Sequence, residues 1–192
     1  MMAAHYTLRC AQPGDEVAII GLIRELAVFE KLEHLMQATP PALAEHLFGP
    51  RPVAEARVVE VQGAVVAFAL FFTNYSTFLG KPGLWLEDLY VQPVHRGSGL
   101  GKALITHIAQ LAVQRGCGRF EWSVLDWNAP AIGFYERLGA TVMPDWRIAR
   151  VTGDALAHIR DRRLDPDDQL GIGQGRYPVR AGDLEGARTE RR

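Results

Sequence analysis

Residues 84–104, L-W-L-E-D-L-Y-V-Q-P-V-H-R-G-S-G-L-G-K-A-L, constrain the fold more than any other stretch of the chain. A strand-like run over 84–91 carries two adjacent carboxylates, Glu87 and Asp88, and stops at Pro93. Arg96, Gly97, Ser98, Gly99, Leu100 and Gly101 then make a glycine-rich turn that feeds a helix. Leu100, Leu104, Ile108 and Leu111 recur at helical spacing and form one apolar face. Lys102, Thr106, Gln110 and Gln114 fall on the other face. A helix that opens from glycines presents unpaired N–H groups and the positive end of its dipole. With no Cβ in the way, such a turn suits a phosphate or pyrophosphate.

Two familiar phosphate loops fail on the residues. A Walker A loop needs Gly where Arg96 stands and Ser or Thr where Ala103 stands. A dinucleotide fingerprint starting at Gly97 needs Gly where Lys102 stands, and it belongs after the first strand of a βαβ unit. The pattern R-x-x-G-x-G fits Arg96, Gly99 and Gly101. Taken alone, an ordinary glycine turn satisfies it equally well.

The rest of the chain supplies context. Its 192 residues suffice for one domain with a proper core. A net charge of −1 lacks the basic excess of a nucleic-acid protein. The longest apolar run, 64–72, is too short for a bilayer span. Residues 1–8 have no basic segment followed by an apolar core, so no secretory signal is expected. Cys10 and Cys117 lack metal-like spacing, as do the six histidines, and read as reduced thiols of a cytoplasmic protein with no metal site.

Periodicity and turn residues predict strands at 6–12, 54–61, 64–73, 84–91, 119–125 and 141–151. Helices are predicted from the Pro13-Gly14-Asp15 break to Glu30, over 40–48, from the glycine loop to Arg115, and over 128–138. Residues 74–83 read as a loop. The order β-α-α-β-β-β-α-β-α-β describes an α/β domain with a mixed sheet, because three strands in succession precede the main helix. From about Arg160 the chain mixes Arg, Asp, Gly and Glu without periodicity. The expected organisation is therefore a domain at 1–159 and a mobile polar tail at 160–192, the alternative being an ordered arm that docks on a partner subunit through residues such as Ile172 and Tyr177.

Strand alternation puts Trp85, Glu87, Leu89 and Val91 on one face and Leu86, Asp88 and Tyr90 on the other. Whichever face is inward, one carboxylate is driven toward an apolar layer, where its pKa rises and it becomes a base near neutral pH. A structural acid paired with an arginine is the plain alternative. Tyr135 shares a helical face with Ala131, Phe134 and Leu138. It reads as core, or as a phenol suited to protonate a thiolate. Asn128 reads as a helix cap or as an amide for a ligand.

In combination these motifs carry a resemblance. Leu86-Glu87-Asp88, Arg96-x-x-Gly99-x-Gly101, Trp127-Asn128-x-Pro130 and Phe134-Tyr135-x-x-x-Gly139 occur in that order. With Ile23-Arg24-Glu25-Leu26-Ala27, Phe29-Glu30, Phe78-x-Gly80-Lys81 and Trp146-Arg147, they resemble the GNAT superfamily of N-acetyltransferases. The likeness is greatest to its diamine (spermidine/spermine) branch, and it covers about residues 5–159. The resemblance implies acetyl-CoA as co-substrate and direct attack by a primary amine in a ternary complex. On it, the backbone of Leu89, Tyr90 and Val91 would hold the pantetheine arm. Arg96, Gly97, Ser98, Gly99, Leu100, Gly101 and Lys102 would hold the pyrophosphate, and Asn128, Ala129, Pro130 and Ala131 would contact coenzyme A. Tyr135 would be the general acid and Glu87 the base route. Phe29, Glu30, Glu87, Asp88 and Asp126 would line the site of a small cationic amine: a polyamine, a diamine or a lysine-like molecule.

The resemblance also implies a homodimer, while the charge balance and the short apolar runs lead us to expect neither nucleic acid nor membrane as partner. Phe29 stands where the family often has tyrosine, and Asp126 where it tends to have a longer acid. Two rival readings share the loop: a non-catalytic acyl-CoA sensor, which needs neither Glu87 nor Tyr135, and a peptide or protein N-terminal acetyltransferase, which differs in its acceptor groove.

Overall fold

The structure is a computed structural model that describes residues 5–161. The chain divides after Ala140 into two units, each described on its own.

In the first unit, β1 (Thr7–Cys10), β2 (Glu55–Val61), β3 (Ala64–Ser76), β4 (Lys81–Val91) and β5 (Arg119–Trp122) form one sheet in sequence order. The first four pair antiparallel, and β5 lies parallel to β4. The mixed sheet expected from the order of elements is therefore present. Helices α1 (Glu16–Glu30) and α2 (Pro40–Phe48) cover one face, burying Ile19, Ile20, Leu22, Leu43 and Leu47 against Val58, Phe68 and Tyr90. Helix α3 (Leu100–Gln114) covers the other with Leu100, Leu104 and Ile108 against Val59, Ala67, Ala69, Phe71, Leu84 and Leu86. Burial on both faces explains the unbroken apolar run of β3. Helix α2 has the predicted bounds because the Thr39 hydroxyl accepts from Ala42 N–H and proline occupies its first turn. Helix α4 (Ala129–Glu136) follows β5.

Three expectations change. Residues 74–83 are not a loop: β3 runs on to Ser76, β4 begins at Lys81, and residues 77–80 make the turn. There the Ser76 hydroxyl accepts from Leu79 N–H and Gly80 takes φ 61°. β5 stops at Trp122 instead of reaching residue 125. In the second unit, residues 141–151 form no strand, because Pro144 and Asp145 make a turn and proline interrupts any ladder. That unit contains α5 (Gly153–Asp161), which crosses the boundary expected at residue 159. The tail expected beyond it, residues 162–192, lies outside the described residues.

Helix α1 is anchored at its start by Asp15, which is buried at 8% exposure. Its carboxylate accepts from both guanidinium nitrogens of Arg9, at 2.6 and 3.0 Å, and from Gln12 N–H at 2.8 Å. Arg9 also donates to Glu60 on β2. The bonds from Arg9 hold the Asp15 carboxyl below its ordinary range. Its stabilising effect is therefore complete above the unfolded value, near 3.8, and is lost as the pH falls through the folded value. Asp15→Ala should cost about 3 kcal/mol at pH 7, since it leaves a partly buried guanidinium without its main partner. In urea denaturation the gap from wild type should shrink as the pH drops below about 4; a gap independent of pH would mean that Asp15 acts by packing alone.

Candidate active site

The site is built around an irregularity in β4. Leu70 pairs with Asp88, but Phe71 pairs with Leu86, so Glu87 is an extra residue, a β-bulge. The bulge reverses the expected alternation. Leu84 and Leu86 before it, and Leu89 and Val91 after it, all face α3. Tyr90 faces α1, and Asp88, two residues earlier with no bulge between, shares that side. Glu87 itself is exposed and accepts from the Trp85 indole N–H at 3.0 Å. The carboxyl driven inward is thus Asp88, not its neighbour.

Past the bulge, β4 parts from β5. Their parallel pairing runs from Gly83 opposite Arg119 to Leu86 opposite Trp122 and ends there, whereas β4 continues to Val91. Gln92 N–H donates to Val66 C=O at 3.0 Å, which fixes the phase of the β3–β4 ladder. Asp88 and Tyr90 spend their backbone groups on β3, while those of Leu89 and Val91 point away from it, along the edge β5 no longer covers. Of the three residues expected to offer backbone to a ligand, Leu89 and Val91 keep their groups off the β3 ladder and Tyr90 does not. The Tyr90 side chain is buried, and its hydroxyl donates to Glu25 Oε2 at 3.2 Å.

An acidic cluster stands at this fork. Burial, reinforced by the charges of Glu87 and Glu30, pushes the Asp88 carboxyl up to about 7. Burial likewise raises Glu30, in the last turn of α1. Tyr135, on α4, is raised by burial and by the charge of Glu30, which ties the phenol electrostatically to the same cluster. Its ring packs on Trp122 of β5, centroids 4.9 Å apart, and on Phe134. So α1 and α4 each supply one titratable group to the cluster, and β4 supplies two. Asp126 remains exposed in the loop after β5 and does not enter these couplings.

Gly97 and Gly99 take φ 76° and 89°, the left-handed region glycine tolerates, and Gly99 is the N-cap of α3 with no side-chain cap. No atom lies within 4 Å of where a Cβ on either would stand. A Cβ on Gly101 would meet only Val91 Cγ2, at 3.7 Å. These open positions, beside the free N–H groups of a 15-residue helix, fit a phosphate group. Leu100 is buried, so only its backbone is available; Ser98 is exposed and donates to His95 C=O. Lys102 is exposed and, with Gly99, Tyr6, Leu8, Thr106 and His107, lines a groove of about 480 Å³ that includes none of Glu30, Asp88 or Tyr135.

Arg96 behaves differently from the rest of its loop. Its Nε donates to Val91 C=O at 3.0 Å, and its guanidinium carbon lies 5.3 Å from the Phe29 ring centroid and 5.4 Å from that of Tyr90. The loop is thereby tied to the end of α1. Phe29 in turn meets Trp127, centroids 5.9 Å apart. The sequence motif contained Trp127, but its spacing gave no sign of this contact. Asn128 takes its cap reading: its Oδ1 accepts from Ala131 N–H at 3.3 Å, with Ala129 and Pro130 in the first turn of α4.

Among the described residues no group of His, Cys, Asp and Glu could hold a metal ion, and no helix is long and apolar enough to cross a membrane.

Comparison with known proteins agrees with this arrangement. A family model described as Acetyltransferase (GNAT) family matches residues 21–140. L-ornithine N5-acetyltransferase of Arabidopsis thaliana is 37% identical over 197 residues, covering 79% of this chain and 86% of its own. Thialysine N-epsilon-acetyltransferase of Mus musculus is 37% identical over 166 residues, covering 81% and 97%. Among solved structures, an integron cassette protein of V. cholerae superposes with a TM-score of 0.69 at 21% identity, covering 84% of this chain and all of that one; this likeness concerns the fold alone. The strand–glycine loop–helix unit, the forked sheet and the matched residues together place the chain in the acetyltransferase (GNAT) family.

Proposed function

We propose that the protein transfers the acetyl group of acetyl-CoA to the primary amine of a small cationic acceptor (a diamine, a polyamine or an amino acid resembling ornithine or lysine) by direct attack in a ternary complex. The observation that carries this reading is the cluster of Glu30, Glu87 and Asp88, coupled through Glu30 to the Tyr135 phenol. Carboxylates of one sign raise the local concentration of a cation. The names of the ornithine and thialysine relatives point to the same class of acceptor.

Acetyl-CoA, when bound, supplies an activated acetyl thioester. The open backbone at Gly97, Gly99 and Gly101 would hold its pyrophosphate, with Ser98, Leu100 and Lys102 alongside, and the free edge at Leu89 and Val91 its pantetheine arm. Asn128, Ala129, Pro130 and Ala131, at the start of α4, would contact coenzyme A. An N–H of that free edge would donate to the oxyanion as it develops. Glu30 would hold the acceptor as a cation, with Phe29 and Asp126 at the rim of its site. The attacking amine must be neutral, so its proton needs an acceptor whose pKa lies near that of the medium. Asp88, at about 7, meets that condition. Glu87, the carboxylate favoured by its place in the motif, would act mainly through its charge, which helps to lift Asp88. Tyr135 would protonate the departing thiolate. The protein would work in the cytoplasm as a homodimer, in keeping with the diamine branch it resembles.

A thiol-release assay with acetyl-CoA and a panel of amines tests the reading. Turnover confined to small cationic amines is expected. Tight binding of coenzyme A without turnover would favour a sensor, and a preference for peptide amines would favour an N-terminal acetyltransferase.

Three variants test the parts. Tyr135→Phe should lower kcat by roughly 10²-fold or more with acetyl-CoA binding nearly unchanged; a wild-type kcat would assign Tyr135 to packing. Gly101→Val should abolish coenzyme A binding in calorimetry while the fold survives, because its Cβ meets only ordinary contact. Gly99→Val is the poorer probe, since φ 89° strains any side chain there. Normal coenzyme A binding by folded Gly101→Val would overturn the pyrophosphate assignment.

For Asp88 the sign is opposite to that of Asp15. Between its ordinary value, near 3.8, and about 7, the folded state keeps a proton that the unfolded chain has lost, so stability falls as the pH rises through this window. Asp88→Asn should gain on wild type in urea denaturation across the same window. It should also lose the rise of kcat/KM through pH 7, with kcat down roughly 10²-fold, whereas Glu87→Gln should lose less than about tenfold. The reverse ranking would return the base role to Glu87.

A further inference from the structure

Phe29 and Trp127 are large rings that touch each other yet remain 41% and 53% exposed. They come from opposite sides of the site. Phe29 precedes Glu30 in the last turn of α1, and Trp127 precedes Asn128, the cap of the helix that carries Tyr135. Their contact joins the acidic side of the fork to the side bearing the phenol. Phe29 is also held by the Arg96 guanidinium, whose Nε is fixed on Val91 C=O. A cation held over a ring and bonded to strand backbone restricts that ring's orientation. The result is an exposed apolar surface, held in place, beside carboxyls that are raised by burial. Folding alone offers no reason to leave two such rings in water.

We propose that Trp127, together with Phe29, forms the wall against which the methylene chain of the acceptor packs, and that Trp127 sets the enzyme's preference for acceptor chain length. This rests on the acceptor reading given above. One end of a short α,ω-diamine is held as a cation by Glu30, the other reaches Asp88, and the carbons between lie on the two rings. Each added methylene that finds ring surface gains binding, so affinity should climb with chain length until the wall is covered. The wall binds the acceptor's carbons and takes no part in the proton transfer, so the effect should fall on acceptor KM.

The test is acetylation of 1,3-diaminopropane, 1,4-diaminobutane and 1,5-diaminopentane by wild type, Trp127→Ala and Trp127→Leu. In wild type the acceptor KM should fall along the series by about two- to threefold per methylene. In Trp127→Ala that dependence should flatten and KM for the longest diamine should rise about tenfold, with kcat within about threefold and acetyl-CoA affinity unchanged. Trp127→Leu keeps apolar volume if the alanine variant does not fold, and it should recover part of the slope. A variant slope equal to that of wild type overturns the wall. So does a fall in kcat with the slope intact, which would make Trp127 a support for Tyr135. A wild-type enzyme that acetylates neither the series nor any of spermidine, ornithine and lysine overturns the acceptor reading and this inference with it; one that acetylates any of those three but none of the series, or acetylates the series with a slope Trp127→Ala leaves intact, overturns the inference alone.

Discussion

One extra residue in β4 decides where everything at the site goes. With strict period-two alternation, Leu84, Leu86 and Asp88 would share a face. Either Asp88 would enter the layer of Leu104 and Ile108, or the two leucines would leave it. The bulge at Glu87 avoids both outcomes: Leu84 and Leu86 are fully buried against α3, and Asp88 stays on the side of α1. A bulge also bends its strand and sharpens the local twist. The parallel ladder to β5 ends at Leu86, immediately before the extra residue. The same insertion that turns the acid therefore coincides with the fork that exposes the backbone of Leu89 and Val91.

Elements that meet at the fork arrive by their ends. Helix α1 presents Phe29 and Glu30 at its last turn and is pinned at its first by Asp15 and Arg9. Helix α3 presents its first turn, pinned by the burial of Leu100 and Leu104. Helix α4 is started by the Asn128 cap. Glu30 and Tyr135 thus lie in the last turns of their helices, whereas Asp88 lies within β4, where the bulge turns it toward them. Ends of elements leave backbone groups free, and the proposed function would use such groups to hold a polyanionic carrier. Arg96 joins two of these ends, its guanidinium lying over the Phe29 ring from the glycine loop.

Much of this is legible in the amino-acid sequence. The glycine loop and the stripe of α3 could be read because both are local: spacing and residue type decide them. Helix α2 was legible to its last residue because Thr39, the prolines and Gly49 mark its two ends. The bulge was hidden by the assumption of constant alternation. Its trace is in the sequence nonetheless, as Leu84-x-Leu86-x-x-Leu89-x-Val91, in which one gap is a residue too long for a regular strand. The roles of Glu87 and Asp88 depended on that gap. The extension of β3 and β4 through 74–83 was missed because glycine and proline there looked like loop chemistry, while pairing of Tyr75 with Pro82 and Asn74 with Gly83 overrode it. No local signal could have shown that Phe29, Arg96 and Trp127 meet, since they lie far apart along the chain and only the sheet brings them together.

The acid cluster is costly in the free protein, and that cost bears on its function. Burial and like charge make ionised Asp88 unfavourable, which is why it holds a proton up to about pH 7. A bound cation reverses both the repulsion from Glu30 and part of the desolvation penalty, so it must lower the Asp88 pKa by the same free energy that ionised Asp88 adds to cation affinity. On the proposed function, acceptor binding and readiness of the base would be one coupled event: a cation held at Glu30 would help to prepare the carboxylate that takes the proton from the second amine. A monoamine brings a single nitrogen to both tasks. A diamine divides them between two, which gives the fork a physical reason to prefer acceptors that carry a second positive charge.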